Sequence, residues 1–259
     1  MKSAAAVRAR RERYAPWLLL AVVLLLWEAI CRGFAVSEFI FPSPSRIVQQ
    51  LWEFRGVIAM HAWRTFWVTM VGFGLSIVVG TLLGFLIGSS RMAYAAMYPL
   101  MTGFNAIPKA AFVPVLVVWF GIGVGPAVLT AFLISFFPIT VNIATGLATL
   151  EPELEDVLRV LGARRWDVLV KVGLPRSMPY FYASLKVAIT LAFVGTTVSE
   201  MTAANEGIGY LLMAAGSSMQ MGLAFAGLVV IGVMAMVMYE LFAVIERRTT
   251  GWAHRSSTA

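Results

Sequence analysis

The sequence predicts an all-α, polytopic membrane protein of about six transmembrane helices, with a cytoplasmic helical hairpin between spans 4 and 5. Three observations carry this. The 259 residues are 60% hydrophobic and only 13% charged, against roughly 45–50% apolar and about 25% charged in soluble domains. The stretches 65–90 and 110–150 contain no Asp, Glu, Lys or Arg, and about 20 apolar residues cross a hydrocarbon core. The 20 Lys and Arg are spread unevenly around those stretches. A water-soluble globular enzyme is thereby excluded, and 17 Phe, 8 Trp and 7 Tyr exclude a disordered chain. Cys31 is the single cysteine and His61 and His254 the two histidines, so neither an internal disulfide nor a His/Cys metal set is expected.

Spans are predicted at 14–33, 65–89, 95–120, 126–149, 178–200 and 222–244, flanked by a basic tail at 1–13 and a C-terminal tail at 247–259, with 14–246 as the membrane domain. The basic tail and first apolar run have the charge pattern of a signal peptide. Trp27-Glu28 stands where a small-residue cleavage site would lie, so a retained anchor is expected. Span 2 carries Gly80, Gly84 and Gly88, a spacing that lets two helices approach closely, within one chain or between two. The Gly/Pro cluster at 121–126 divides the long apolar stretch into spans 3 and 4. Pro108 and Pro114 in span 3 and Pro138 in span 4 each remove a backbone hydrogen bond; they are candidate hinges, and equally ordinary bends.

Orientation follows from the basic residues. With the N-terminus inside, fourteen Lys and Arg lie in cytoplasmic segments, while Arg32, Arg46, Arg55 and Arg64 lie outside. Such an excess marks the cytoplasmic side. The net charge of +7 is then a topology signal, and no nucleic-acid partner is expected.

Charged groups within spans are costly and tend to face a cavity or a partner. Glu28 in span 1 is one such group; Lys186, Glu200 and Glu240 fall near span ends, where interface roles are usual, and Lys186 is placed to snorkel. Lys109 lies near mid-span, with Asn105 one turn before it. It is either a cationic element of a translocation pathway or one half of a structural pair with an acid on another helix. Ser135, Asn142, Thr196 and Ser199 are candidate pathway residues in spans 4 and 5, although single hydroxyls in membrane helices often bond the preceding turn.

The inner segment 150–177 carries the densest pattern. Leu154, Val157, Leu158 and Leu161 form the i, i+3, i+4, i+7 stripe of an amphipathic helix. Pro152 suits its first turn and Glu151 and Glu153 its positive end, and Glu155 and Arg159 are spaced for an i,i+4 pair. Gly162-Ala163 interrupts the stripe. A shorter one follows at Trp166, Leu169 and Val170, and Gly173-Leu174-Pro175 ends it. Two uses fit this helix–turn–helix: a hairpin lying on lipid headgroups, or a docking element for a soluble partner.

Asp156, Gly162 six residues later, and Leu174-Pro175 twelve and thirteen beyond that glycine resemble the EAA loop of permease subunits in bacterial ABC importers. The two small residues that the family places after the acid are Val157 and Leu158 here. Phe41-Pro42-Ser43-Pro44, Ile107-Pro108-Lys109, Val113-Pro114, Trp119-Phe120-Gly121-Ile122-Gly123, Phe136-Phe137-Pro138 and Gly207-Ile208-Gly209-Tyr210-Leu211 are similar, in order, to signatures of the nitrate/sulfonate/taurine subgroup across residues 40–245.

The resemblance implies a type I importer permease in the bacterial inner membrane, with both termini cytoplasmic. Two copies would form the pore, two copies of a cytoplasmic ATPase would bind the inner loops (151–175), and an extracytoplasmic binding protein would deliver the solute. The subgroup carries nitrate, sulfonates, taurine and some heterocyclic vitamin precursors, and the basic residue Lys109 in span 3 tilts the expectation toward a small anionic solute: a sulfonate, taurine, nitrate or similar. Leu154, Val157, Leu158 and Leu161 would fill a groove on the ATPase, Asp156 and Arg164 would make rim contacts, Gly162 would allow the turn, and Leu174-Pro175 would lead back into the bilayer. ATP and Mg would be held by the ATPase, and no cofactor by this chain. The sequence has no G-x-x-x-x-G-K-[ST] phosphate loop, in keeping with a transport subunit that is not itself an enzyme. Two other classes stay open: an ion-coupled secondary carrier, which calls for paired half-repeats and midplane acids, and a membrane scaffold recruiting a cytoplasmic partner. No acid falls in spans 2, 3 or 4.

Overall fold

The computed structural model describes residues 2–148, 157–158 and 160–250, and every regular element among them is helical. The helices are α1 (Lys2–Gly33), α2 (Pro44–Glu53), α3 (Arg55–Gly88), α4 (Arg91–Ala106), α5 (Val113–Phe120), α6 (Val124–Ala148), α7 (Arg165–Val168), α8 (Leu174–Ala203), α9 (Ile208–Ser217) and α10 (Met221–Thr249). A 3-10 turn, Lys109–Phe112, precedes α5, and a π-helical turn, Leu169–Gly173, joins α7 to α8. Among the described residues five helical segments are long and apolar enough to cross a membrane, and α4 with Lys109–Phe120 makes a sixth, broken one. The predicted fold class and span count therefore hold.

The chain forms two compact units. The first comprises residues 1–59 and 211–229. Its centre is aromatic: Trp27 of α1 stacks on Phe41 at 5.0 Å, and Phe225 of α10 meets Phe41 edge-on at 5.7 Å. Pro42 is fully buried beside them. Ser43 then caps α2, its Oγ accepting from Arg46 N, and Pro44 fills the first helical position, where a missing N–H costs nothing. Glu28, one of the acids flagged in the spans, reaches the same helix end. Its carboxylate accepts from Ser45 N at 3.0 Å and Ser45 Oγ at 2.7 Å, and from Arg32 Nε one turn on at 2.6 Å.

The second unit comprises residues 60–210 and 230–259. Its core is built from Phe73, Ala131, Ile139, Ile143, Leu147, Leu185, Ala188, Ile189, Ala192 and Phe193, with Ile231, Met234, Met238 and Phe242 of α10 packed against it. In lipid, helices associate through close packing and buried polar contacts rather than the hydrophobic effect, and α3 shows how. Its small residues Gly72, Ser76, Gly80, Gly84 and Gly88 recur every fourth position and face α6. A Cβ at Gly80, Gly84 or Gly88 would lie 2.8–3.0 Å from the Cβ of Ile139, Ile143 or Leu147 respectively. Ser76 Oγ meets Ser135 Oγ at 2.6 Å in the same register, an offset of 59 residues. Partners that rise together along both helices mean that α3 and α6 run parallel. The glycine stripe is an intrachain seam.

Span 3 differs from the single helix expected. Its halves meet at 72°, because Ile107 leaves the helix with ψ 127° and Pro108 with ψ 94°. Proline both lacks an N–H and disfavours helix in the residue before it. Of the three candidate hinges, Pro108 lies at this break, Pro114 opens α5 in its first turn, and Pro138 stays inside α6.

Candidate functional site

The inner loop is described from residue 157 on, except for 159; Leu154 and Asp156 lie outside the described residues. Gly162 has φ +88°, the left-handed conformation that ends helices. Ala163 N reaches back to Leu158 O at 3.0 Å and Leu161 N to Val157 O at 3.1 Å, the backbone pattern of a glycine helix stop. Among the described residues no atom beyond the two chain neighbours lies within 4 Å of where a Cβ would sit, so backbone angle, and not space, demands glycine there. Val157, Val160 and Leu161 are 57%, 88% and 77% exposed, and Arg164 is exposed beside them. Arg164 O starts α7 by accepting from Val168 N. Asp167 of α7 pairs with Lys171 of the π-helical turn at 3.1 Å, and that hydrogen bond holds the Asp167 carboxyl below the usual carboxylate range. Leu174 is exposed, and Pro175 lies in the first turn of α8.

Around the break in span 3, Lys109 Nζ donates to Asn105 Oδ1 at 2.9 Å and Asn105 O at 3.2 Å. The ammonium lies 5.7 Å from the ring centre of Phe104 and 5.5 Å from that of Phe137. Among the described residues no carboxylate comes within 4.0 Å of it. Asn142 is half-buried and spends its amide on Pro138 O. The three hydroxyl candidates sit elsewhere. Ser135 is fully buried on Ser76, Thr196 is fully buried and accepts from Thr69 at 2.9 Å, and Ser199 is buried with no hydrogen-bond partner among the described residues. They lie in helix–helix seams of this chain and not on an open face.

A third cluster was not anticipated. The first amides of α9 are held by side chains from two other helices. Gly207 N donates to His61 Nδ1 at 3.0 Å, Ile208 N to Thr65 Oγ1 at 2.8 Å and Gly209 N to Glu200 Oε2 at 3.0 Å. Side chains supplying acceptors to orphan N-terminal amides stabilise a helix start, and a carboxylate there also meets the positive end of the helix. The glycines of the Gly207-Ile208-Gly209 signature make room: a Cβ on Gly207 would occupy the Glu200 carboxyl group, and one on Gly209 would lie 2.6 Å from Glu200 Cβ. The signal in the sequence was the glycine pair, but its partners His61 and Thr65 lie far away on α3. Lys186, expected to snorkel, instead pairs with Glu246 of α10 at 2.6 Å. Among the described residues no three His, Cys, Asp or Glu side chains gather to hold a metal.

Residues 76–251 match the sequence profile of the binding-protein-dependent transport system inner membrane component family. A Haemophilus influenzae protein described as an ABC transporter permease is 30% identical over 224 residues, covering 86% of this chain and 91% of the relative. The formylaminopyrimidine transport permease ThiX of Halalkalibacterium halodurans is 32% identical, with 75% and 78% covered. The aliphatic sulfonate permease SsuC of Bacillus subtilis is 28% identical, with 96% and 93% covered. The fold matches a chain of the inward-facing MetNI methionine ABC transporter at TM-score 0.66 and 18% identity, covering 76% of this chain and 98% of that one. Together with the helix count, the broken third span and the glycine-locked inner turn, these matches place the chain in the family of binding-protein-dependent ABC transporter inner membrane permeases, as a multi-pass transport subunit that is not itself the ATPase.

Proposed function

We propose that two copies of this chain form the pore of an importer that moves a small anionic solute by alternating access. A cytoplasmic ATPase, present in two copies and holding ATP and Mg, would grip the turn around Gly162, and an extracytoplasmic binding protein would load the solute. Family membership implies the ATPase and the binding protein. The copy number, the N-inside orientation and the lipid-facing surface are inferred from the sequence.

The observation that carries the solute class is Lys109: a cation near the middle of the third span, at a broken helix, with no acid beside it among the described residues. Non-helical backbone at that depth is tolerated where it is buried in protein or lines a water-filled cavity, and 105–108 are exposed on this chain. The coupling reading is supported by Val157, Val160 and Leu161, apolar side chains held out on a turn that Gly162 fixes.

Co-expression with the chromosomal neighbours, purification in mild detergent and an ATPase assay test the assembly. A P-loop ATPase should co-purify with the wild type and be lost with Gly162→Pro. A chain that purifies alone, with uptake driven by a proton or sodium gradient, would overturn it.

A further inference from the structure

The relatives above are named for solutes as different as a pyrimidine and aliphatic sulfonates, so similarity leaves the chemical class open. The side chains around Lys109 narrow it. Beyond Phe104 and Phe137, which flank the ammonium, the ring of Phe136 lies 6.2 Å from Phe104, and Phe132 stacks on Phe136 at 5.2 Å with the planes 21° apart. Phe104 is exposed and Phe132, Phe136 and Phe137 are half-buried. One face of the broken span and α6 thus presents a cation followed by a row of partly exposed rings. Asn105 adds an amide whose Oδ1 is engaged by Lys109 and whose Nδ2 makes no hydrogen bond among the described residues.

We infer that the translocated solute is a flat ring carrying an anionic group, a heteroaromatic carboxylate or sulfonate, with its charge at Lys109, a ring or carbonyl acceptor at Asn105 Nδ2, and its plane against Phe104 and Phe136. The inference rests on the proposal that Lys109 fronts the pathway. Phenyl faces carry negative potential, which suits the ammonium but repels a bare anion. Any anion at Lys109 meets these two ring faces, and nitrate or a short alkyl sulfonate gains nothing from Phe132 and Phe136 in return. An electron-poor ring in offset stacking or with its positive edge on a phenyl face uses the same surface favourably. Lipid tails as occupant would leave the ammonium with Asn105 alone as its polar partner and would put the exposed break in hydrocarbon, where neither is readily tolerated.

The test is equilibrium binding to the permease–ATPase complex in nanodiscs, using nicotinate and cyclohexanecarboxylate. These probes share charge and approximate size and differ in flatness. Nicotinate should bind on the order of tenfold more tightly, the scale of one aromatic contact. Phe136→Leu should bring the two to parity, Phe136→Trp should keep the preference, and Lys109→Met should weaken both. Equal binding in the wild type, or a preference that survives Phe136→Leu, would overturn the ring inference while leaving the anion reading intact. Binding of both probes unchanged by Lys109→Met would overturn the anion reading itself. Failure of both to bind would overturn both, and would mean that the face is covered by a second copy or by lipid.

Discussion

Thr65 and Glu200, 135 residues apart in sequence, form the buried centre of the α9 cap: Thr65 Oγ1 donates to the Glu200 carboxylate at 2.8 Å while accepting from Ile208 N at 2.8 Å. The hydroxyl is used in both directions, so one side chain ties α3, α8 and α9 together. Thr65→Val keeps the shape but leaves Ile208 N unpaired, and a buried polar group without a partner costs about 1–3 kcal/mol. Glu200→Ala orphans Gly209 N as well. Both variants should melt at lower temperature than the wild type in detergent. Gly209→Ala should be worse than either, since its new methyl has Glu200 Cβ and Thr197 O in its way. Thermal unfolding of the purified chain decides this, and an unchanged midpoint for Gly209→Ala would contradict the close approach.

The inner turn makes a contrasting demand on its glycine. Space is open around Gly162, so Gly162→Ala is opposed only by its positive φ, at about 1–2 kcal/mol, and should leave a turn that forms part of the time. Gly162→Pro forbids that φ altogether. We expect graded loss of solute-stimulated ATPase activity, partial for alanine and at least tenfold for proline, with membrane insertion and melting temperature nearly unchanged because the turn buries little. Leu158→Asp should uncouple as strongly by placing a charge in the stripe. Stimulated ATPase activity in proteoliposomes, measured beside the melting curve, separates uncoupling from misfolding.

The same contrast explains which features were legible in sequence. Composition and charge-free stretches mark the spans because lipid imposes one requirement on some twenty consecutive residues. The inner turn was legible because a helix stop at Gly162 is a local event, written in adjacent residues. The helices α2 and α9 were missed because each has only ten residues and takes acceptors at its N-terminus from distant side chains: Glu28 for α2, and His61, Thr65 and Glu200 for α9. The two acids were visible as costly charges within spans, but their targets were not. Likewise the stripe at Gly80, Gly84 and Gly88 announced a close approach without saying to what, since its register with α6 is set by the fold. Ser135 and Thr196 show the same dependence on the fold. Polar character suggested a pathway, and the fold spends both hydroxyls between helices. Family membership also decides against the ion-coupled carrier and the scaffold, which composition alone left standing.

The α3–α6 seam gives a prediction with an internal control. Gly84→Val would press a branched side chain into the space of Ile143 and Thr140 O, whereas Gly74 on the same helix has no atom within 4 Å of its Cβ position. Overpacking of a tight contact typically costs about 1–3 kcal/mol. Gly84→Val should therefore lower the melting temperature and the yield of folded protein, and Gly74→Val should match the wild type. Equal behaviour of the two variants would mean that the seam is loose.

Lys186 and Glu246 supply the last prediction, because their pair lies where water is scarce: the side chains are only 18% and 13% exposed at a separation of 2.6 Å. Removing one member leaves a charge in a poorly solvated place, and breaking buried pairs costs about 3–5 kcal/mol, whereas replacing both members by apolar groups is often neutral. Lys186→Met and Glu246→Leu should each lower the melting temperature markedly, and the double variant should recover most of the loss. A cycle of the two single variants and the double variant, melted in the same detergent, measures the coupling. Strict additivity would show that the two charges are each solvated on their own, as a snorkelling Lys186 would be, and that α10 is held by ring packing such as Phe242 on Phe73 of α3 instead.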